Sequence, residues 1–515
     1  MKERIGLVDI GSNTIRLIVV DIDDHFGLHE IQNIKIPARL YHHLDEENIM
    51  DQAGIDLLCQ ILDNFAHESQ ILKANKLLPK ATAAIRQSKN YQEILDTVKE
   101  RTGITIDIVS GDKEAYYGYN AIIHTMSDHD ALTIDIGGGS TEITYFKNKE
   151  IQASHSFPFG AVSLTEKFFA DKDHDDKSAI KKARKFVRKQ FADFDFIKEA
   201  QLPIIAVGGS ARNVTRVHQL QNDYPLAGIH NYQMSEEDLE DTLDLFLSLS
   251  DKELRKLDGL STDRADIITP ACLVFSELMA CVQAPCFKFS QYGLREGILY
   301  EYIEDHYPAP YDIFHIQRQT IEGLTNTYHF SMADHAQRVD IVRQVYTCLN
   351  QQEFLDWNDQ EKRLLIYGAY LYFCGRFIER GAASQHTFYL LSNSNMNGFD
   401  HKERVAISLI ASYKNKTLFK QYSEEFQDLF TEDELDRIQA MGGLIKFSES
   451  LNDSHFNIIS SVDMIIQNDT LILRIFYNGT LISEVYRAED QKKHIERIID
   501  RNIQLDFIPT TAHNL

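Results

Sequence analysis

The sequence predicts an α/β protein with two related sheet domains and a cleft between them, followed by a mostly helical region and a small α+β tail. Three observations predict it. As far as about Tyr302, short β-rich runs alternate with stretches of helical periodicity. One plan occurs twice, at IGLVDIGSNTIRLIVV and again from Ala131 as ALTIDIGGGSTEITYF. Each copy is an apolar strand ending in Asp-Ile-Gly, a small polar turn and a second apolar strand. The copies lie about one domain apart, as expected of a duplicated unit. Beyond HYPAPYD (His306–Asp312), where Pro308 and Pro310 mark a linker, the pattern is almost wholly helical to about Leu451. Domains are therefore expected at 1–130, 131–305 and 311–450, with a smaller region at 451–515.

The elements follow in order. Ile5–Ile10 and Arg16–Ile22 read as strands joined by the turn GSNT. Ile55, Leu58, Ile61, Leu62 and Phe65 recur at helical spacing within Asp51–Leu72. LLPKATAA is a strand entering a turn, Tyr91–Thr102 a helix and Ile104–Ser110 a strand. After the second hairpin come a helical run over Lys177–Ala200, the strand PIIAVGGS and amphipathic helices to about Gln283. The tail reads as a hairpin over Met464–Tyr486 with its turn at Tyr477-Asn478-Gly479, then a last helix.

Composition narrows the function classes. With 43% hydrophobic and 25% charged residues, the chain is neither disordered nor collagen-like. Its 6 cysteines form no CxxC pair, which argues against a zinc site or a disulfide framework and suits a reducing cytoplasm. The apolar run before Asp9 is too short for a secretory signal core, and no apolar stretch is long enough to span a membrane. A net charge of −24 argues against a nucleic-acid partner. It leaves room for an anionic substrate held by a local group of arginines.

The candidate chemistry lies where strands end in small residues: Gly11-Ser12-Asn13-Thr14, Gly137-Gly138-Gly139-Ser140-Thr141 and Gly208-Gly209-Ser210. Such loops let successive N–H groups converge on phosphate oxygens, and their hydroxyls add donors. A plain tight turn uses the same residues, so the weight rests on their recurrence. Asp9 and Asp135 end their strands beside two of the loops, and Glu142 follows across the second hairpin. These hard oxygen donors suit Mg²⁺, which takes one or two carboxylates together with phosphate oxygens and water. Glu114, at the start of a helix in SGDKEA, is either a capping carboxylate or a base that orients water. Arg16, Arg86, Arg264 and Arg295 have the geometry and charge for phosphate oxygens.

In this order the motifs resemble the exopolyphosphatase/guanosine pentaphosphate phosphatase family of the actin-like ATPase superfamily. The matching stretches are DIGSNTIRL (Asp9–Leu17), ATAAIR (Ala81–Arg86), SGDKEA (Ser110–Ala115), DIGGGSTE (Asp135–Glu142), FGAVSLTEKF (Phe159–Phe168), AVGGSARNV (Ala206–Val214), RADIITP (Arg264–Pro270) and YGLREGILYEY (Tyr292–Tyr302). The resemblance implies two actin-like domains and a Mg²⁺-dependent hydrolase acting on phosphoanhydride bonds. Glu114 would be its base, Asp135 and Glu142 residues for metal and catalysis, and Arg86 an arginine toward the phosphate chain. The substrate would be inorganic polyphosphate or, alternatively, guanosine pentaphosphate, and the working unit a homodimer. Lys113 stands where family members usually carry a second acid, which leaves the tuning of Glu114 open. The region 311–450 resembles a helical relative of HD phosphohydrolases in which Tyr372-Phe373 replaces the metal-binding pair, leaving His335 and His386 with structural roles. Two other classes stay open, an actin-like kinase and a noncatalytic sensor of polyphosphate or alarmone. ATP-dependent phosphorylation of a small acceptor would mark the first, and tight binding without turnover the second.

Overall fold

The computed structural model describes residues 3–24, 26–307, 312–328, 332–467 and 470–510. They form two compact units, 1–224 with 229–316, and 225–228 with 317–515. The first unit contains eleven strands: β1 (Glu3–Ile10), β2 (Ile15–Ile22), β3 (Leu28–Ile36), β4 (Lys76–Ala81), β5 (Asp107–Ile108), β6 (Ala131–Ile136), β7 (Thr141–Lys147), β8 (Glu150–Phe157), β9 (Ile204–Val207), β10 (Tyr232–Met234) and β11 (Phe287–Phe289). They build two sheets of matching plan, β3-β2-β1-β4-β5 and β8-β7-β6-β9-β11-β10. β1 runs antiparallel to β2 and parallel to β4, and β6 does the same with β7 and β9. The duplicated motif is thus a duplicated arrangement of strands.

Burial explains which strands the sequence displays openly. β1 and β6 are central and buried along Ile5–Val8 and Ala131–Ile134, so they read as continuous apolar runs. β3 lies at a sheet edge with most of its residues exposed, and its polar composition conceals it. β8 also carries polar residues along most of its length. Ile104–Ser110, expected as one strand, pairs only at Asp107–Ile108.

The helices of this unit are α1 (Gln52–Ile71), α2 (Ala83–Arg86), α3 (Tyr91–Thr102), α4 (Gly111–Thr125), α5 (Ala161–Phe169), α6 (Lys177–Ala192), α7 (Gly208–Gln221), α8 (Glu236–Ser248), α9 (Asp251–Leu254), α10 (Ile268–Val282) and α11 (Leu294–His306). Asp51 caps α1 by accepting from the Gly54 amide, and Ile55, Leu58, Ile61, Leu62 and Phe65 bury one face in the core of the first sheet. α10 is apolar on nearly every side and is buried from Ile268 to Met279 in the core of the second sheet. The run expected to continue to Ala200 ends at Ala192, where Asp193 and Phe194 turn the chain.

The second unit is helical through α12 (Ile316–Thr327), α13 (Met332–Gln351), α14 (Asp359–Leu371), α15 (Ala383–Asn393), α16 (His401–Ala411), α17 (Lys416–Ser423) and α18 (Glu432–Ser450). It ends in β12 (Ile459–Gln467), β13 (Thr470–Tyr477), α19 (Ser483–Gln491), α20 (Lys493–Ile499) and β14 (Ile503–Pro509). A hairpin is present, but it is β12 with β13 and not the expected one about Tyr477-Asn478-Gly479, because Ser483–Tyr486 belong to α19. Gln467 pairs with Thr470, and 468 and 469 lie outside the described residues. Asn478-Gly479 instead ends β13 and leads into the helical crossover that parallel pairing with β14 requires. The linker prolines Pro308 and Pro310 also lie outside the described residues. Among those described, no helix is long and apolar enough to cross a membrane.

Candidate active site

The two Asp-Ile-Gly hairpins are built alike to the level of single hydrogen bonds. In the first, Asp9 pairs with Arg16 and the Gly11 amide donates to the Thr14 carbonyl at 3.0 Å. In the second, Asp135 pairs with Glu142 and the Gly137 amide donates to the Ser140 carbonyl at 2.9 Å. The turn carbonyls are satisfied by neighbouring backbone. Arg39 and Tyr41 amides donate to Asn13 and Ser12, and Ala161 and Val162 amides at the start of α5 donate to Gly137 and Gly138. Among the described residues, nothing accepts from the amides of Ser12, Asn13 and Thr14, or of Gly138, Gly139 and Ser140. Each turn therefore keeps a set of unused N–H donors, as an anion-binding nest requires. The Thr141 hydroxyl is buried and donates to the Phe159 carbonyl at 2.8 Å, tying the second turn to the start of the chain segment before α5.

The third small-residue stretch is not a loop. Gly208, Gly209 and Ser210 form the first turn of α7, entered directly from β9. Two close approaches explain the glycines. Gly208 has a φ of +88°, and a Cβ there would stand 2.5 Å from Asp135 Oδ1. A Cβ on Gly209 would stand 2.3 Å from the Arg264 guanidinium. Ser210 is buried, and its hydroxyl accepts from Arg264 Nη1 at 3.2 Å, fixing that arginine beside the start of α7.

Glu114 lies in the first turn of α4, capped by Ser110. Arg86, at the end of α2, donates through Nη1 to Glu114 Oε1 at 2.9 Å and to the Val109 carbonyl at 2.6 Å. Among the described residues, the second Glu114 oxygen has no donor. Burial raises the Glu114 pKa above the ordinary range; Arg86 opposes this, while Glu142 and Asp9 add to it. Asp135 is pushed to about 7, first by burial and then by Glu142 and Glu114, with Arg264 opposing. Burial also raises Asp9, against the pull of Arg295 and Arg16. Glu142 is buried and accepts from the Ser156 hydroxyl at 2.8 Å. Lys113 takes no part in this network. Its ammonium pairs with Glu301 at 2.5 Å and lies over the Tyr116 ring.

The arginines meet one another as well as the carboxylates. Arg16 is lowered by burial and by Arg295, with Arg212 contributing further. Arg212 is lowered by the crowding of the surrounding protein, then by Arg295 and Arg264, although its side chain reaches solvent. Sequence reading missed Arg212, which follows the Gly-Gly-Ser stretch of AVGGSARNV, one turn into α7. Among the described residues, no carboxylate lies within 4.0 Å of a guanidinium nitrogen of Arg16, Arg212, Arg264 or Arg295. Arg212 thus has the other three as like-charged neighbours, and guanidinium groups without close carboxylate partners could hold an anion.

The carboxylates suit a divalent cation. They are hard oxygen donors, and the crowding that raises Asp135 is what a cation would relieve. Among the described residues, no three acidic, histidine or cysteine side chains form a ready-made cage.

Over 310 residues the chain is 27% identical to exopolyphosphatase 1 of Mycobacterium tuberculosis, covering 58% of this chain and 87% of the relative. It is 25% identical to the guanosine-5′-triphosphate,3′-diphosphate pyrophosphatase of Pseudoalteromonas translucida, over 82% of each. The crystal structure of the Aquifex aeolicus Ppx/GppA family member superposes with a TM-score of 0.55 at 26% identity, covering 59% of this chain and 99% of that one. The family model for Ppx/GppA phosphatases matches residues 18–306, and the model for their domain III matches 316–455. With both its sheet unit and its helical unit matched, the chain belongs to the Ppx/GppA phosphatase family.

Proposed function

We propose that this chain is an exopolyphosphatase that, with Mg²⁺, hydrolyses the terminal phosphoanhydride of inorganic polyphosphate and releases orthophosphate. One observation carries the reading. Arg16, Arg212, Arg264 and Arg295, all without carboxylate partners, share one electrostatic neighbourhood with crowded carboxylates and two turns of unused amides. Such a site suits a ligand end rich in anionic oxygens, attacked by water. The arginines and turn amides bind the phosphate oxygens and neutralise their charge. Glu114, tethered through Oε1, orients the attacking water with its free oxygen and accepts its proton. The water oxygen bonds to the terminal phosphorus, the bridging P–O bond breaks, and the shortened chain leaves with that bond's electrons. Asp9, Asp135 and Glu142 would hold Mg²⁺, which when bound neutralises charge on the transferring phosphoryl group.

Orthophosphate released from long-chain polyphosphate, and abolished by a chelator, tests this reading. No release from any chain length contradicts it. The second reading, hydrolysis of guanosine pentaphosphate to tetraphosphate, is favoured by the Pseudoalteromonas relative, whose match extends well beyond the sheet unit. A higher kcat/KM on the nucleotide than on polyphosphate would select it. The helical unit is read as an HD-like scaffold without the metal pair, serving as a wall for a long substrate or as a dimer surface. His335 supports this role: it is buried, with Nδ1 2.6 Å from the Tyr370 carbonyl.

A further inference from the structure

Helix α6 stands apart in charge. In a chain of net charge −24, its sequence KSAIKKARKFVRKQFA carries seven Lys and Arg and no Asp or Glu. Ala179, Ala183, Val187 and Phe191 are buried in the core of the second sheet, so no apolar face remains to enter a lipid surface. The opposite side opens on a groove of about 550 Å³. Lys177, Lys181 and Lys185 line it, with Arg184, Arg188 and the apolar floor of Ile180 and Leu247.

The two arginines are already neutralised. Arg184 pairs with Glu277 at 2.7 Å and with Glu240 at 2.9 Å, and Arg188 also pairs with the fully buried Glu277. The lysines are not: all three are exposed, and among the described residues none has a carboxylate within 4.0 Å. They recur every fourth residue, about 6 Å apart along the helix at ~1.5 Å per residue. A line of free charges over successive turns fits a linear polyanion, whereas a compact anion needs charges that converge. Among the described residues, no aromatic side chain lines the groove, so nucleic-acid bases have nothing there to stack on. A phosphate chain without bases needs no such platform.

We propose that the α6 groove is a second binding site for inorganic polyphosphate, separate from the residues of the candidate active site, that retains long chains while their ends are hydrolysed. The proposal rests on the exopolyphosphatase reading for its ligand. Long chains occupying both sites gain affinity by multivalency, while short substrates use the hydrolytic site alone.

The test is the triple variant Lys177→Gln, Lys181→Gln, Lys185→Gln, whose exposed positions leave the core intact; an unchanged melting temperature confirms the fold. Equilibrium binding of fluorescently labelled long-chain polyphosphate should weaken by about tenfold or more. The slope of log affinity against log salt should fall by about 2, as for three lost phosphate contacts. KM for long chains should rise in step, while kcat/KM for tripolyphosphate stays at the wild-type value. Wild-type affinity and salt slope in the variant overturn the proposal. So does a single-stranded oligonucleotide of equal charge that displaces polyphosphate from the wild type but not from the variant. Because binding is read without turnover, failure of the groove is distinguished from failure of the exopolyphosphatase reading, in which the wild type releases no phosphate.

Discussion

Glu114 and Asp135 have different protonation problems, and each gives its own prediction. Arg86 holds one oxygen of Glu114 and leaves the other free, so Glu114→Gln removes the proton acceptor while keeping volume and tether. Turnover should fall by roughly 10²-fold or more, with substrate binding largely retained, as steady-state kinetics and a binding isotherm would read. Near-normal turnover would remove Glu114 from the mechanism. Asp135 is pushed to about 7 by burial and by Glu142 and Glu114, far above its ordinary 3.8. A raised folded-state pKa gives stability that is present below the unfolded value and is lost as pH rises through about 7. Asp135→Asn should therefore stabilise the protein increasingly from pH 4 to pH 8, by roughly 1–3 kcal/mol at the top of that window, while impairing hydrolysis. Thermal melts across that range check the sign. Because Glu114 and Asp135 are both raised and both work ionised, kcat/KM should fall as pH drops below about 7, and added Mg²⁺ should move the midpoint lower. At this scale the acids were legible because each stands at a strand end or a helix start beside small residues. Arg212 was not, because inside α7 it looks like any exposed helical arginine, and only its neighbours Arg295 and Arg264 distinguish it.

The second hairpin keeps its shape through α5. The first amides of α5 hold the Gly137 and Gly138 carbonyls, and a Cβ on Gly160 would stand 2.4 Å from the Gly137 carbonyl oxygen. Since that neighbour is backbone, Gly160→Ala must displace the turn. We expect a loss of roughly 1–3 kcal/mol in denaturant unfolding and a fall in activity larger than the stability change explains. A fully active, equally stable variant would show that the turn does not depend on this contact. Elements with strong local signals were legible: Tyr91–Thr102 is a helix over that span, and both hairpins lie where the Asp-Ile-Gly pattern put them. The edge strand β3 escaped because its side chains mostly face water, so no apolar periodicity marks it. The tail turn was misplaced because Asn-Gly is a strong hairpin signal, while the parallel partner β14, which gives Asn478-Gly479 its different task, lies far along the chain.

Across the whole molecule, the duplicated sheets account for the position of the site. Each contributes one Asp-bearing hairpin, and α4 and α11, which carry Glu114 and Arg295, pack closely on one another. All the candidate chemistry lies in the first compact unit. A fragment ending at Ile316, if it folds, should therefore still hydrolyse short substrates while losing affinity for long ones. Hydrolysis of phosphate esters by the isolated helical unit with metal would contradict that division. The repeat was legible because the functional turn is also the structural one. Substrate choice was not, since it depends on which oxygens the arginines reach, and four guanidinium groups suit a phosphate chain with or without a nucleoside. The central claim, hydrolysis from the chain end, is tested most directly by phosphorus NMR of long-chain polyphosphate incubated with the protein and Mg²⁺. The account predicts a growing orthophosphate signal as the interior-phosphate signal declines, with no rise in end-group signal, and no such change for Glu114→Gln. New end groups from internal cleavage, or no orthophosphate from the wild type, would contradict it.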